Sequence, residues 1–525
     1  MYMILFRKAA VLPLSLVMLL FASCGSSPNV PPTSVITPPP PPAGDATVVQ
    51  VDNTATLQRI DGFGGTTLAL VYGTNDYLGG YRPAAIRAAF GSVGISLGML
   101  DVGVVEAPAD ATDPYAQRAN DNDDPAVMNS RGFNFTGSDN LLRKIVDPAR
   151  EFGYSDLGLG PLIRVARVLD WLQPIRATNY QRYLDEVAEN VLATMQHWRD
   201  ANGLTPRLIH LFNEPTSGNV ELASSSTQEV VDIVKRVGAR LRSAGFAEVK
   251  FVVPNEETMS RSLEVARAIL ADPAARPYVG VIGFHQYPEG SAYSSPRRIL
   301  ESSGVGVPDA SARQELEKLK ALGLQYGLPL WMTEVSEGPY RSDFAYGSME
   351  DVLARAIHIH DLFEYGGASA YFGMNTIWDL RSHEDHYAGR DVPFLRENSG
   401  MVLVDQSSGD VKITGMGYAV GHYASWLKSG AMRIGATSAN PRLLATAFRD
   451  PTSRKIVVVA INTEETSRTV RIALRGATAG SGITGELSFE GTRWQIIQPY
   501  SPTAAGEVEF VAPPRSVVTL AIPTN

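Results

Sequence analysis

Eight short apolar runs, each followed by a longer stretch with apolar residues three and four apart, set the strongest limit on what this chain can fold into. The runs are Ile60–Thr66, Ser96–Val102, Leu159–Val165, Leu208–Phe212, Val249–Val253, Val279–Tyr287, Leu328–Glu334 and Ala368–Met374. Between them lie helix-spaced segments such as Tyr180–Asp200, Thr227–Ala244, Ser311–Tyr326 and Met349–Tyr365. A wholly apolar strand is covered on both faces, and strands that alternate with helices pair in parallel. Eight βα units therefore predict an α/β fold, the (β/α)8 or TIM barrel. A doubly wound open sheet shares the pattern, but no GxGxxG or Walker-type loop follows any strand, which weakens its nucleotide-binding form.

Beyond about Ala431 the period changes from helical to two. Alternating runs at Leu443–Phe448, Ile456–Asn462, Thr469–Leu474, Gly485–Phe489, Glu507–Val511 and Ser516–Ile522 are separated by turns and predict an all-β sandwich. Residues Thr47–Leu57 alternate in the same way ahead of the barrel, so the sandwich is expected to take a strand from the N-terminal segment. The expected divisions are 46–58 for that strand, 59–430 for the barrel and 431–525 for the sandwich.

The first 45 residues read as an address and a tether. Arg7 and Lys8 precede an apolar run from Val11 to Ala22, too short to cross a bilayer as a mature helix, and the run closes on Phe21, Ala22, Ser23 and Cys24. That ending resembles the lipobox of bacterial lipoproteins, in which the cysteine is acylated, although Phe21 stands where the lipobox favours leucine; an ordinary secretory signal competes with this reading. Cys24 is the single cysteine of the chain, which excludes an internal disulfide and a Cys-rich metal site. Residues 1–23 are read as the signal peptide and 24–45 as a linker, carrying five consecutive prolines at Pro38–Pro42. Forty-six basic and fifty-five acidic residues give a net charge of −9, with the basic residues scattered. Nucleic acid is not an expected partner, and an acidic chain needs the lipid for anchoring, at an outer membrane or cell surface.

In a (β/α)8 barrel the chemistry lies at the C-terminal ends of the strands. Two apolar runs close on glutamates there: Leu208 to Phe212 continues into Asn213, Glu214 and Pro215, and Leu330 to Thr333 ends at Glu334. Glycoside hydrolysis needs two carboxyl groups across one barrel mouth, one to protonate the leaving oxygen and one to attack the anomeric carbon or to activate water.

With these residues the chain resembles clan A of the glycoside hydrolases, and within it family 30, which includes glucosylceramidases, xylanases and β-1,6-glucanases. The resemblance rests on Gln58–Gly65 at the first barrel strand, Phe212–Pro215, His285–Tyr287 and Trp331–Glu334, on the closing Pro514–Val517, and on the layout from about residue 47 to 522. It implies a retaining enzyme with Glu214 as acid/base, expected to start protonated, and Glu334 as ionised nucleophile. Asn213 would bond the sugar 2-hydroxyl, with a turn or helix-cap role as the alternative; Tyr287 would orient Glu334, and His285 would line the pocket or fill the core. Two departures stand out: Leu100, Asp101 and Val102 replace the family's usual arginine on strand two, and Arg164, Val165, Ala166 and Arg167 replace its Pro-Trp segment on strand three.

The remaining site candidates come from position. Trp378, placed just beyond strand eight, could stack on a pyranose or pack in the core, and Asn375 is nearby and polar. Asp101 and Arg164 could read the sugar or form structural ion pairs. Asp61, Gly64 and Gly65 are expected to shape the first loop. His383, Glu384, Asp385 and His386 have ligand-type side chains without a third ligand in reach of the sequence, and Asp121–Asp124 lacks EF-hand spacing, so no metal and no cofactor are expected. The Glu106–Arg131 insertion around Asp121 reads as a solvated loop. The expected partner is a polysaccharide or oligosaccharide; a non-catalytic glycan-binding lipoprotein, or a galactose- or uronic-acid-specific clan A relative, are the competing functions.

Overall fold

The structure is a computed structural model that describes residues 46–66, 78–102, 105–112, 117–154, 159–162, 171–216, 225–287, 310–335, 347–379 and 400–525. The signal segment, the linker, Cys24, Arg164 and the His383–His386 run lie outside the described residues.

After an N-terminal strand β1 (Thr47–Arg59), eight strands follow in order: β2 (Gly62–Thr66), β3 (Leu97–Asp101), β4 (Leu159–Leu162), β5 (Leu208–His210), β6 (Lys250–Glu256), β7 (Val279–His285), β8 (Leu330–Glu334) and β9 (Ala370–Asp379). Each pairs in parallel with the next, and β9 pairs with both β8 and β2, which closes the ring. This is the (β/α)8 barrel. Its interior is filled by Leu97, Met99, Val252, Val281, Trp331, Ala370 and Phe372, while the outward residues of the strands join the helices in the main core. Gly64 and Gly65 lie within β2 rather than in a loop, and the reason is close approach: a Cβ on Gly64 would stand 2.6 Å from the Phe372 ring. Two further strands, β10 (Gly400–Asp405) and β11 (Asp410–Ile413), extend the sheet beside β9.

The second sheet has nine strands: β1 with β12 (Met432–Ser438), β13 (Leu443–Arg449), β14 (Lys455–Asn462), β15 (Arg468–Arg475), β16 (Ile483–Phe489), β17 (Thr492–Tyr500), β18 (Val508–Ala512) and β19 (Ser516–Pro523). It curls into an all-β domain in which β1 sits between β12, antiparallel, and β15, parallel. Val49 and Val51 of β1 are fully buried and join Ile434, Ile472 and Val518 in a separate core. The helix Gly415–Ala424 packs this domain onto the barrel, where buried His422 contacts Thr519 Oγ1 (2.9 Å) and Ser488 Oγ (2.8 Å).

The described part of the insertion is held in place. Asp121 Oδ2 accepts from Asn129 N (2.6 Å) and Asn122 Nδ2 (2.8 Å), Asn190 Oδ1 on the helix Tyr180–Asn202 accepts from Val105 N (3.0 Å), and Asp123 pairs with Arg182 (3.0 Å). Asp123 and Asp124 are exposed as expected, but the loop as a whole is fastened by Asx turns and by that helix.

Candidate active site

The site is built at the C-terminal ends of β5, β6, β7 and β8. Leu211 and Phe212 follow β5 and are buried, and the backbone then turns so that Glu214 adopts a left-handed φ of 50°, fixed by a bond from its N–H to Asn255 O (2.8 Å). Left-handed backbone at a non-glycine residue costs about 1–3 kcal/mol and persists where surrounding structure enforces it. Asn255, itself at φ 57°, supplies the enforcement: its Nδ2 donates to Val252 O (3.1 Å) and Phe212 O (3.3 Å), and its Oδ1 accepts from Thr333 Oγ1 (2.8 Å), one residue before Glu334. Gly283 makes room, since a Cβ there would lie 2.0 Å from Asn255 Oδ1. Asn255 thus ties the two glutamate-bearing strand ends together.

Four functional groups meet inside this frame. His285 Nδ1 lies 3.0 Å from Glu214 Oε1 and 3.9 Å from Glu334 Oε1, and Tyr287 OH donates to Glu334 Oε1 (3.0 Å). The donor atoms of Glu214, His285 and Glu334 fall within 4.8 Å of one another. Metal sites share such spacing, and two neighbouring carboxyl groups at a barrel mouth are also what glycoside hydrolysis uses. Glu214 is 7% exposed, and Glu334 is the more accessible of the pair. Burial holds His285 below the usual imidazole range against the opposite pull of Glu334 and Glu257, and burial, aided by His285, pushes neighbouring His210 down to about 3. Burial thus disfavours the charged form of both rings.

Of the other residues expected here, Asn213 is buried beside Glu214. Asn375 is fully buried and accepts from Thr66 Oγ1 (3.1 Å), a contact that joins β9 to β2. Trp378 stands within β9, which runs on to Asp379, rather than beyond the strand, and is 2% exposed. Asp101 ends β3, but its side chain lies outside the described residues. Asp61 accepts from Trp331 Nε1 (2.9 Å) and anchors the strand that carries Glu334. Asn255, Thr333 and Glu256 were not identifiable from sequence, because their roles arise from packing between strands distant along the chain.

The fold and site are those of a barrel with two facing carboxyl groups at its mouth and a sandwich built from both chain termini. Residues 430–520 match the model of the glycosyl hydrolase family 30 beta sandwich domain. Over 295 residues the chain is 24% identical to glucuronoxylanase XynC of Bacillus subtilis, covering 55% of this chain and 56% of that protein, and over 291 residues it is 22% identical to a putative glucosylceramidase 2 of Caenorhabditis elegans, covering 54% and 50%. The chain thus spans about half the length of the curated relatives it matches. In fold it is similar to a family 30 endoxylanase from Clostridium papyrosolvens C71, with a TM-score of 0.57 and 18% identity across 90% of this chain and 99% of that one. The sandwich segment thus matches the family 30 sandwich model, and the two-domain fold is that of solved family 30 structures.

Proposed function

We propose that this chain is a retaining β-glycoside hydrolase acting on an extracellular polysaccharide or oligosaccharide. The observation that carries the reading is the convergence of Glu214 and Glu334 on His285 Nδ1, at 3.0 and 3.9 Å, at the mouth of the barrel. In the first step a carboxylate oxygen of Glu334 attacks the anomeric carbon while Glu214 gives its proton to the departing oxygen. In the second, Glu214 takes a proton from water as the water attacks the glycosyl-enzyme ester and releases Glu334. Tyr287, donating to Oε1, sets the angle of the Glu334 carboxylate. His285, neutral and fully buried, holds Glu214 in line without adding a positive charge that would strip its proton.

Delivery to the outside is inferred from the signal-like segment and the lipobox-like ending at Cys24, with lipid anchoring at an outer membrane or cell surface. Among the described residues no helix is long and apolar enough to cross a membrane.

The test is a hydrolysis screen of the chain from residue 45 onward on xylan, β-glucans, β-galactans and aryl β-glycosides, beside Glu214→Ala and Glu334→Ala. Both variants should lose at least 1,000-fold on polysaccharide, whereas Glu214→Ala should retain the glycosylation step on aryl glycosides whose leaving group needs no proton. Full activity in Glu334→Ala on any confirmed substrate would overturn the proposal. Glycan binding with no turnover anywhere would favour the binding-protein reading, and the products of an active enzyme would separate family 30 from galactose- and uronic-acid-specific relatives.

A further inference from the structure

The atoms that suit the barrel mouth to hydrolysis suit it equally to a cation. Glu214 follows β5, His285 ends β7 and Glu334 ends β8, so no spacing along the sequence marks them as a ligand set. His285 Nδ1 stands 3.0 Å from Glu214 Oε1 and 3.9 Å from Glu334 Oε1, and the three side chains offer ligand atoms all within 4.8 Å of one another. A tetrahedral ion with bonds of about 2.0–2.2 Å holds its ligand atoms about 3.3–3.6 Å apart. The two shorter distances straddle that range, and Glu334, the more accessible carboxyl group, has the freedom to close the longer one. Among the described residues no other three histidine, cysteine or acidic side chains converge in this way. His285 is fully buried and Glu214 nearly so, and two carboxylates balance a doubly charged ion where water is scarce. Tyr287 OH, donating to Glu334 Oε1 (3.0 Å), holds one carboxylate from outside, as outer partners do around bound metals. One imidazole nitrogen with two carboxylate oxygens suits zinc and its transition-metal neighbours, and three protein ligands leave a fourth position to water.

We infer that the mouth of the barrel is also a site for a divalent transition-metal ion, held by Glu214, His285 and Glu334, and that this ion switches turnover off. Binding stands on the geometry alone; the switching-off rests on the hydrolase reading. The ion takes the place of the Glu214 proton, which passes to water, and it occupies an oxygen of the Glu334 carboxylate. Proton donor and nucleophile are lost together. His285 gives the ion the lone pair of Nδ1 and carries its proton on Nε2, which is buried with no hydrogen-bond partner among the described residues, so no contact there has to be broken. Because the anomeric carbon must approach Glu334 where the ion sits, ion and sugar exclude one another.

The experiment is isothermal titration calorimetry of the full chain, free of any histidine tag, with zinc chloride and separately with magnesium chloride, beside Glu214→Gln, His285→Gln and Glu334→Gln. Zinc should bind the wild type at one site that each variant weakens by roughly tenfold or more, since loss of even an outer partner costs about that much, and magnesium should bind far more weakly. Cobalt(II) in the same site should give a visible absorption band that zinc bleaches and that Glu334→Gln lacks. On a confirmed substrate zinc should raise KM and leave kcat unchanged. No zinc binding, binding that all the variants leave intact, or turnover that zinc raises would each overturn the inference. Should one variant fail to fold, the other two decide. Zinc held at this site by a chain that hydrolyses nothing would keep the site and discard the hydrolase reading, and hydrolysis indifferent to zinc would do the reverse.

Discussion

Glu334 accepts a hydrogen bond from a phenol, the 3.0 Å contact from Tyr287 OH. A hydrogen bond to a charged group is worth about 1.5–3 kcal/mol, so Tyr287→Phe should lower kcat by roughly 10- to 100-fold while leaving the melting temperature within a degree or two. Steady-state kinetics beside a thermal melt checks both halves. Gly64→Ala tests the opposite case, a residue with no chemistry. Its new methyl would meet Phe372 at 2.6 Å and the Leu97 carbonyl at 2.9 Å, of which the second is backbone and cannot rotate away. Overpacking of this kind costs about 1–3 kcal/mol, to be read from the urea midpoint. The two glutamates were legible from sequence because a polar residue closing an apolar run is a local signal. Asn255 was not legible: its work joins β5 to β8 through side-chain bonds, and nothing within β6 announces it. Trp378 was misplaced because the apolar run ends at Met374 while the strand continues on polar residues, Asn375 and Thr376, whose hydrogen-bonding groups face other strands.

At the scale of elements, the helix Tyr180–Asn202 carries more than apolar residues on its inner face. Glu186 and Glu189 are buried there, close in charge to Glu106 and Asp121 of the insertion. Burial, with its acidic neighbours, raises Glu189 to about 9 and, with Glu186 and Asp121, raises Glu106 to about 8. The folded state thus keeps protons that the unfolded chain surrenders above roughly pH 4.5, so the contribution of these two groups to stability is greatest below that value and declines as the pH climbs toward 8 and 9. Glu189→Gln should therefore match the wild type near pH 5 and gain on the order of 1–3 kcal/mol at pH 9, since the amide never has to ionise. Melting curves at the two pH values decide it; equal gains at both would point to packing instead. Most helices and barrel strands were visible in the sequence to within a few residues because their apolar spacing is regular. The sandwich strands β12 and β17 were missed. β12 reads Met432, Arg433, Ile434, Gly435, Ala436, and β17 mixes Arg493, Trp494 and Gln495, so neither shows clean alternation; each is held mainly by its neighbours.

For the whole molecule, β1 is the element that makes one body of the two ends. It fills the gap between β12 and β15 and then hands the chain to the barrel through Ile60, whose N–H donates to Ala431 O (2.7 Å). A chain begun at residue 60 would expose one edge each of β12 and β15 and lose Val49 and Val51 from the core. It should aggregate or melt at least 10 °C lower, and adding the Thr47–Arg59 peptide in excess should recover part of the difference; calorimetry on both samples reads this. A melt unchanged by the deletion would mean that the sandwich closes without its central strand.

That same strand carries a penalty in time. Asn53 bonds to Gly476 across 423 positions of sequence, and β1 has no partner strand until β12, after the whole barrel, is made. Contacts of such span close slowly, and an unpaired strand edge is prone to join the wrong neighbour while it waits. The barrel, whose strands each pair with the next, can assemble progressively behind it. The chain therefore finishes folding at its beginning, and an escort that shields residues 47–59 during that interval would raise the yield of native protein without altering its stability.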